Sequence, residues 1–338
     1  MTRREGGALG LGALGFGAAP IGNMLRALTD AETDATVQAA WSAGVRYFDT
    51  APLYGHGLSE RRVGAALRRR PRNAFMLSSK VGRLLDPCTP GDQDAGIYVD
   101  VPAVKARFDY SYDGVMRSFE DSLARLGMDR IDILYVHDID AHTHRSDAAA
   151  EVRIHELMDL GGWRALDELR SAGDVCAIGA GVNACRPCER LLALADPDIF
   201  LLAGRFTLLD RSAAARLLPA CEARGVSVVI GGPYNSGVLA TGAVPGARYD
   251  YAPASETVLA KVRTLEAICA RHDVRLADAA LQFPLRHPAV VSVIPGGQTA
   301  AEVQRNAAGF QALLPADLWT ALECEGGLAD AAPQPAKA

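Results

Sequence analysis

Apolar and polar positions follow two different periods along this chain, and their succession predicts alternating strands and helices. Short apolar runs bounded by polar turns predict buried strands, whereas apolar positions three or four residues apart predict helices. The predicted strands are residues 45–48, 74–78, 131–136, 175–179, 199–203, 226–230 and 290–294. The predicted helices are residues 30–43, 59–70, 111–126, 162–172, 186–194, 213–224, 256–272, 276–285 and 300–310.

This order of elements favours a barrel over an open sheet. Strands that alternate with helices form parallel sheets. An open dinucleotide-binding sheet would carry a GxGxxG fingerprint after its first strand, and the sequence has none there. The sequence therefore predicts an α/β protein, a (β/α)8 TIM barrel over residues 1–325 with a flexible tail over residues 326–338. Seven barrel strands can be placed, and we expect the eighth at residues 205–209 or elsewhere.

The first twenty residues have two interpretations. Arg3 and Arg4 precede a Gly/Ala-rich run, as in a twin-arginine export signal. Leucines that alternate with glycine from Leu9 to Phe16 instead favour a short N-terminal hairpin followed by a strand that ends at residues 17–20. We favour the hairpin. Because no apolar run reaches the length of a membrane span, we expect a soluble, cytoplasmic protein that binds no membrane.

Two long polar segments follow predicted strands. Residues 82–108 are rich in Pro, Gly and Asp, and a loop of this length in a compact domain is usually functional, so we expect it to form a wall of a substrate pocket. Residues 139–153 are predicted to be a polar loop that contains the pair His142 and His144. That pair has no third ligand at a suitable spacing, so a solvated loop is favoured over a metal site.

The composition excludes several classes of function. The 338 residues are 49% apolar and 22% charged, with a formal net charge of -5, which is typical of an ordinary globular protein. The longest basic run is the three arginines at 68–70, so no nucleic-acid partner is expected. The seven cysteines are odd in number and scattered, which favours a reduced chain without disulfides. Cys185 and Cys188 form a single CxxC, which favours buried or surface thiols over a zinc or redox site.

Four residues carry chemistry at the ends of successive predicted strands. Asp49, Lys80 and His137 each end a different strand, and Tyr54 lies on the loop after the first one. Taken singly, Asp49 could be a helix cap, Lys80 a surface lysine and His137 a core histidine. Together, they would share the carboxyl-terminal mouth of a barrel, where barrel enzymes place their active sites.

The types of these residues suit proton transfer at a carbonyl or alcohol oxygen. A phenol has a pKa of about 10, and an ammonium beside it would lower that value, so we expect Lys80 to activate Tyr54 and Asp49 to hold Lys80. His137 would orient the oxygen of the substrate. Side chains cannot supply a hydride, so such a site needs a redox cofactor.

These residues lie in motifs that resemble those of the aldo-keto reductase superfamily: FDTAPLYGHGLSERRVG, LSSKVG and YVHD. The resemblance runs from residue 9 to about residue 310. It implies a (β/α)8 barrel that binds a nicotinamide cofactor, with Tyr54 as general acid/base, Asp49 and Lys80 as its tuning pair and His137 as the substrate-orienting residue.

Further stretches, among them GFGAAPIGN, GAGVN and GGPYNSGVLATG, resemble the branch of D-threo-aldose (L-fucose), L-galactose and pyridoxal 4-dehydrogenases. That resemblance implies oxidation of a ring hemiacetal to a lactone, with an aldose of the L-fucose, D-arabinose or L-galactose type as substrate. Pyridoxal oxidation, aldehyde reduction and a cofactor-sensing regulatory subunit are the alternatives. Tyr54, His137 and Arg205 are the expected substrate contacts. Neither a monomer nor a homo-oligomer is favoured.

The resemblance also implies a cofactor site, although two of its usual residues are missing, a glutamine near Ala203 and a stacking tyrosine near Gly231. Asn183 is then the expected amide partner. NAD is favoured over NADP, because Gln298 and Thr299 stand where NADP-preferring relatives place Lys or Arg. No metal is expected. The expected cofactor contacts are Gly17, Asn183, Gly232, Pro233, Asn235, Ser236, Gly237, Pro295, Gly296, Gly297, Gln298, Arg305 and Asn306.

Overall fold

The computed structural model describes residues 9–327. Within that range the strands are β1 (Phe16–Gly17), β2 (Tyr47–Asp49), β3 (Met76–Val81), β4 (Arg83–Pro87), β5 (Val104–Phe108), β6 (Ile133–His137), β7 (Ala177–Val182), β8 (Ile199–Ala203), β9 (Ser227–Gly231), β10 (Arg248–Tyr249), β11 (Ala252–Pro253) and β12 (Val290–Ile294). Arg3 and Arg4, and the residues before Leu9, lie outside the described residues.

The helices surround the main sheet. They are α1 (Asp30–Ser42), α2 (Leu58–Leu67), α3 (Tyr112–Leu126), α4 (Ala141–His144), α5 (Asp147–Asp159), α6 (Gly162–Ala172), α7 (Cys185–Leu194), α8 (Leu217–Arg224), α9 (Val238–Thr241), α10 (Glu256–Arg271), α11 (Leu276–Gln282), α12 (Ala300–Gln311) and α13 (Ala316–Glu325). Between residues 9 and 327, no helix is both long enough and apolar enough to cross a membrane.

The main sheet is a closed parallel barrel. In the described part of the chain it has eight strands in the order β1-β2-β3-β6-β7-β8-β9-β12. Parallel bridges from Leu14 to Val293 and from Gly17 to Gly296 join its first and last strands. The Gly15 amide donates to the Val293 carbonyl at 2.9 Å, and the Val293 amide donates to the Ala13 carbonyl at 2.9 Å. The predicted (β/α)8 barrel is therefore confirmed.

The eighth strand is β1, and its suggested position at residues 205–209 was wrong. That segment forms bends without strand pairing. β1 has only two residues, so its sequence carries almost no periodicity, and it is a strand because β2 and β12 satisfy its backbone groups on both sides.

Two segments predicted to be irregular are in fact ordered. Residues 82–108 contain the antiparallel hairpin β4–β5, in which Arg83 pairs with Phe108. Residues 139–153 contain α4 and the first half of α5, whose amino end is capped by the Ser146 hydroxyl. A largely solvent-facing helix such as α5 has only a thin apolar stripe, which explains why its pattern resembled a loop.

The core has two layers. The larger apolar cluster lies between the barrel and its helices. A second cluster fills the barrel interior, with Tyr47 and Tyr135 as its largest side chains, and it includes Leu11 from the segment before β1. Because the interior is packed with side chains, a ligand can approach only the loops at the barrel's ends.

Candidate active site

Asp49 and Lys80 form a buried ion pair inside the carboxyl end of the barrel. Lys80 Nζ donates to Asp49 Oδ2 at 2.8 Å and to the Thr50 carbonyl at 2.9 Å. The Ser78 hydroxyl donates to Asp49 Oδ1 at 2.7 Å, so both carboxylate oxygens are satisfied. The side chains of Lys80 and Asp49 are only 1% and 3% exposed. Burial outweighs the attraction of Lys80 and raises the pKa of Asp49.

Tyr54 lies on the loop between β2 and α2, and two glycines bring that loop against the rest of the structure. A Cβ atom on Gly22 would lie 2.7 Å from the Tyr54 carbonyl carbon, and one on Gly55 would lie 2.1 Å from the Gly22 oxygen. Gly55 also has φ +62, a conformation that favours glycine. The next residue, His56, is buried and its Nδ1 lies 2.8 Å from the Val104 oxygen of β5. These contacts fix the backbone that carries the phenol.

The pKa of Tyr54 is raised, not lowered as we expected from the sequence. Lys80 Nζ lies 4.5 Å from the centroid of the Tyr54 ring, over its face. Burial, followed by the negative charges of Asp49 and Asp138, raises the pKa of Tyr54 well above its ordinary value. The nearby cation that opposes this rise is Arg83. Tyr54 is therefore a protonated phenol at neutral pH.

His137 ends β6 and faces Tyr54. The two rings are perpendicular, with centroids 5.7 Å apart. The Tyr110 hydroxyl donates to the His137 carbonyl at 2.7 Å and fixes the backbone there. Burial and the positive charges of Arg83 and Lys80 hold the pKa of His137 well below its usual range, so its imidazole is neutral. Its buried Nδ1 has no hydrogen-bond partner among the described residues.

The structure adds two residues to the site that the sequence analysis did not identify, Arg83 and Asp138. The Arg83 guanidinium donates to Asp138 Oδ2 at 2.6 Å, and each side chain is 11% exposed. Asp138 Oδ2 also lies 3.3 Å from Nε2 of His137. The signal was available, since Arg83 directly follows the LSSKVG motif and Asp138 ends YVHD.

Two further tyrosines adjoin Tyr54. The ring centroid of Tyr98 lies 6.4 Å from that of Tyr54, and Tyr98 belongs to the segment predicted to form a pocket wall. Tyr251 lies in the turn between β10 and β11, is 45% exposed and interacts electrostatically with both phenols. Tyr54 and Tyr98 form the aromatic cluster of the site, whereas the Tyr251 ring contacts His142, with centroids 6.0 Å apart.

Arg205 is engaged by protein groups rather than free for a substrate. Its Nε donates to the Asn183 carbonyl at 2.6 Å, and one terminal nitrogen donates to Asp210 at 3.0 Å. The other terminal nitrogen donates to both carboxylate oxygens of Asp250 at 2.9 Å. The structure therefore does not support the substrate contact predicted for Arg205. Its bonds instead tie Asn183 to the loop that carries Tyr251.

Comparison with known proteins identifies the chain's relatives. The sequence profile of the aldo/keto reductase family matches residues 13–324. The chain belongs to the aldo/keto reductase family. It is 42% identical over 324 residues to pyridoxal 4-dehydrogenase from Microbacterium luteolum, with 93% of this chain and 94% of that protein covered. It is 40% identical over 320 residues to D-threo-aldose 1-dehydrogenase from a Pseudomonas species, with the same coverage of each chain.

Solved structures agree on the fold. The aldo-keto reductase AKR11C1 from Bacillus halodurans, in its holo form, superposes with a TM-score of 0.74 at 24% identity, covering 98% of this chain and 96% of that one. The sequence-based predictions of the family, the barrel and the enzyme class are thus confirmed. The protein is an NAD(P)-dependent oxidoreductase of the aldo/keto reductase family.

The loops where the family's cofactor would bind contain suitable groups. Asn235 is buried, and its Oδ1 has no partner among residues 9–327, while its Nδ2 donates to the Gly204 carbonyl at 3.2 Å. The three consecutive residues Asn235, Ser236 and Gly237 have positive φ values of 45°, 59° and 102°. Gly232, at the start of the same loop, also has a positive φ of 55°. The Asn235 and Gly237 amides donate within this loop, to the Gly232 carbonyl at 2.9 Å and to the Tyr234 carbonyl at 3.0 Å, so they hold a compact turn. The unpartnered Oδ1 of Asn235, beside the buried Pro233, is the feature of this loop that suits a bound polar ligand.

Asn183, the predicted amide partner, lies at the end of β7. Its Nδ2 donates to Asp138 Oδ1 at 3.1 Å, and its backbone amide donates to Asp140 Oδ2 at 2.6 Å. The structure thus brings Asn183 next to His137 through Asp138. Glycine at position 17, by contrast, is explained by the close approach of β1 to β12 where the barrel closes. A Cβ at this position would lie 3.0 Å from the Ile294 oxygen of β12.

The segment before α12 holds the remaining predicted cofactor residues. Both nitrogens of Gln298 have protein partners, since its Nε2 donates to the Met24 carbonyl at 2.6 Å and its backbone amide donates to Glu302 Oε2 at 2.7 Å. Asn306 donates to the Gly296 carbonyl at 3.3 Å and accepts from the Tyr234 hydroxyl at 3.0 Å. These bonds fix the turn formed by Pro295, Gly296 and Gly297. Arg305 is exposed on α12.

The metal and thiol candidates have simple structural explanations. Residues 9–327 contain no group of three or more His, Cys, Asp or Glu residues that could hold a metal ion. His144 packs on the Phe108 ring with centroids 4.6 Å apart, whereas His142 is exposed. All seven cysteines are free. Burial raises the pKa of the Cys185 thiol to about 11 and that of Cys188 further, which disfavours reactive thiolates.

Proposed function

We propose that this protein is an NAD-dependent dehydrogenase that oxidises a cyclic hemiacetal to a lactone. The observation that carries the proposal is the convergence of Asp49, Lys80, Tyr54 and His137 at the carboxyl end of one barrel, with Lys80 Nζ 2.8 Å from Asp49. The identities of about 40% to two dehydrogenases support the same direction of reaction. The free thiols suit a reducing cytoplasm.

In this proposal the chain's own residues bind, orient and deprotonate the substrate. Neutral His137 donates a hydrogen bond to the anomeric oxygen, and Tyr54, as the phenolate, accepts the proton of that hydroxyl. When bound, the nicotinamide supplies the hydride acceptor for C1. Lys80 holds positive charge over the Tyr54 ring, and Asp49 keeps Lys80 in place. Asn183 would bind the carboxamide, and residues 232–237 the pyrophosphate.

NAD is the proposed cofactor. The amino end of α12 carries the Glu302 carboxylate, which accepts from the Gln298 amide. A carboxylate next to a 2′-phosphate would repel it, whereas it can accept hydrogen bonds from ribose hydroxyls. The Gln298 side chain is already engaged by the Met24 and Pro20 carbonyls. This segment therefore presents negative charge, and NADP would bind less well.

Two substrates of the hemiacetal class have specific support. An aldose of the L-fucose, D-arabinose or L-galactose type is favoured by the resemblance to D-threo-aldose 1-dehydrogenase. Pyridoxal is favoured by the 42% identity to pyridoxal 4-dehydrogenase and by the aromatic cluster, on which a pyridine ring can stack.

The test is NADH formation at mildly alkaline pH with L-fucose, D-arabinose, L-galactose and pyridoxal, each repeated with NADP. We expect NADH with at least one of them and a lower rate with NADP. Identification of the lactone as product would complete the assignment. If no substrate is oxidised but an aldehyde is reduced, the protein is a reductase. If neither occurs while NAD binds, it is a cofactor-sensing subunit.

A further inference from the structure

The carboxylate of Asp138 links three parts of the site. Its Oδ2 accepts from Arg83, at the start of the β4–β5 hairpin, and its Oδ1 accepts from Asn183, at the end of β7. The same Oδ2 lies 3.3 Å from Nε2 of His137. The Asp138 backbone has φ +53, a left-handed conformation that Asp tolerates better than most residues. The chain thus turns sharply directly after the imidazole.

Arg83 is held in one orientation. Its guanidinium carbon lies 4.6 Å from the Phe108 ring centroid, and Phe108 is the residue that pairs with Arg83 in the hairpin. The guanidinium therefore lies between an aromatic face and the Asp138 carboxylate. A planar guanidinium fixed in this way is preorganised, so little conformational entropy is lost when it binds the carboxylate.

We propose that Arg83 is a positioning residue for the reaction. Through Asp138, Arg83 holds His137 neutral and keeps Asn183 in place. This inference rests on the proposed function, because it assigns roles to His137 and Asn183 in that reaction. Stability alone does not explain the pair, since a buried ion pair typically adds little net stability over apolar side chains of similar volume.

The charge balance around His137 explains why Arg83 matters. The groups that face His137 from the elements around it are Tyr54, Lys80, Arg83, Asp138 and Tyr110. Without Arg83, the Asp138 carboxylate would be buried beside the imidazole with its charge no longer balanced. A proton would then be retained by His137 and Asp138 at higher pH, and the imidazole would lose its fixed neutral form.

The direct test is the pH titration of the His137 imidazole by 15N NMR in the ligand-free protein, with His137→Gln used for assignment. In the wild type we expect a neutral ring between about pH 5 and 8. In Arg83→Met we expect a new titration within that range. Combining Asp138→Asn with Arg83→Met should remove it again, and Asp138→Asn alone should titrate like the wild type. If Arg83→Met titrates like the wild type, the proposal is overturned.

The matched control is Arg72→Met. Arg72 pairs with Asp132 at 2.7 Å and stacks over Phe75 at 4.8 Å, so it repeats the Arg83 arrangement at the opposite end of β6. Asp132 also keeps a second partner, Arg130. Arg72→Met should therefore leave the His137 titration unchanged. A change of the same size in this control would show a general effect of lost packing and would overturn the proposal.

Kinetics provide a second readout. At pH values below the new titration of His137, kcat of Arg83→Met should be about 10- to 100-fold lower than that of the wild type. At pH values above that titration, kcat should partly recover. Arg83→Lys, which keeps the charge, should restore most of that loss. Asp138→Asn should raise KM for NAD, because it removes the carboxylate that holds Asn183. The pH profile of kcat should change little in this variant.

These outcomes separate the two proposals. If the wild type oxidises none of the four substrates while Arg83→Met still changes the His137 titration, the function proposed above fails, whereas the effect of Arg83 on the protonation of His137 stands. Uniform loss of kcat in Arg83→Met without any change in titration or pH profile would leave only a packing role and would overturn the inference.

Discussion

Tyr54 lies in surroundings that keep its phenol protonated, and this fixes how the two directions of catalysis depend on pH. Burial and the charges of Asp49 and Asp138 raise its pKa well above 10. Reduction uses Tyr54 as an acid, which is the abundant form at neutral pH. Oxidation uses the phenolate, whose fraction rises about tenfold per pH unit below the pKa.

We therefore expect kcat/KM for oxidation to rise steadily from neutral pH to about pH 10, while that for reduction stays flat over the same range. Initial rates of NADH formation and consumption, measured in buffers of constant ionic strength, would show this. An oxidation rate that levels off near neutral pH would mean that the bound cofactor or substrate lowers the pKa of Tyr54.

The variant Tyr54→Phe removes the proton carrier but keeps the ring over Lys80. Turnover should fall about 10²- to 10⁴-fold, the usual contribution of general acid–base catalysis, with NAD affinity nearly unchanged. Steady-state rates and NAD titration calorimetry check the two parts. Tyr98→Phe, a phenol in the same cluster, is the matched control and should change turnover only a few-fold. Full activity in Tyr54→Phe would contradict the assignment.

For single residues, the sequence identifies those whose position follows from the order of the strands. It does not identify the role of a residue whose partners lie on distant loops. Asp49, Lys80 and His137 could be predicted because carboxyl ends of parallel strands meet in one place. Arg205 could not be interpreted, because Asp250, its bidentate partner, is brought to it by a loop. The pKa of Tyr54 was predicted with the wrong sign, because desolvation depends on three-dimensional packing.

Among the elements, the loop that carries Tyr54 depends on a backbone-to-backbone contact with the short 3-10 helix Pro20–Gly22. A Cβ atom on Gly22 would lie 2.7 Å from the Tyr54 carbonyl carbon and 2.8 Å from its oxygen. Backbone atoms cannot rotate away as a flexible side chain would, so one of the two segments must shift. The phenol would move with its loop.

Gly22→Ala should therefore lower the free energy of unfolding by about 1–3 kcal/mol, as overpacking usually does. It should also lower kcat, by up to about 100-fold if Tyr54 shifts by about 1 Å. Denaturant unfolding and steady-state rates measure both. Gly12→Ala is the control, because its Cβ would make only an ordinary contact, 3.5 Å from the Leu14 oxygen. Equal behaviour of the two variants would refute the argument.

Elements were predictable from the sequence where they are amphipathic and capped. The Thr29–Glu32 capping box begins α1, and Gly127 in a left-handed conformation ends α3; both residue patterns are typical of helix ends. The β4–β5 hairpin was missed because Pro, Gly and Asp between its strands made residues 82–108 resemble one long loop. The strand ending near Gly17 was predicted, but its place as the eighth barrel strand was not, because that place depends on partners distant in sequence.

Across the whole molecule, the proposed cofactor residues come from loops after β7, β9 and β12. A ligand bound to all of them links distant parts of the barrel and stabilises only the folded state. At a concentration 100 times its Kd, such a ligand adds about 2.7 kcal/mol to the free energy of unfolding. We therefore expect NAD to raise the Tm in a concentration-dependent way, and NADP to raise it less.

The NAD preference should be sensitive to a single charge. Glu302→Gln keeps an acceptor for the Gln298 amide but removes the negative charge at the amino end of α12. The ratio of kcat/KM with NADP to that with NAD should rise a few-fold to about tenfold. Glu323→Gln, on α13, is a charge-matched control and should leave the ratio unchanged. An unchanged ratio in Glu302→Gln would mean that Glu302 does not face the ribose.

The bridges from Leu14 to Val293 and from Gly17 to Gly296 have a consequence for biosynthesis. A ribosome releases β1 before the other seven strands of the described barrel and β12 after them, so one edge of β1 must wait for its partner while the rest of the barrel is made. Until then the barrel is an open, curved sheet with two unpaired edges, which are sites for pairing with other chains. The yield of this protein should therefore depend strongly on translation rate and chaperone supply, even though the finished barrel has no such open edges.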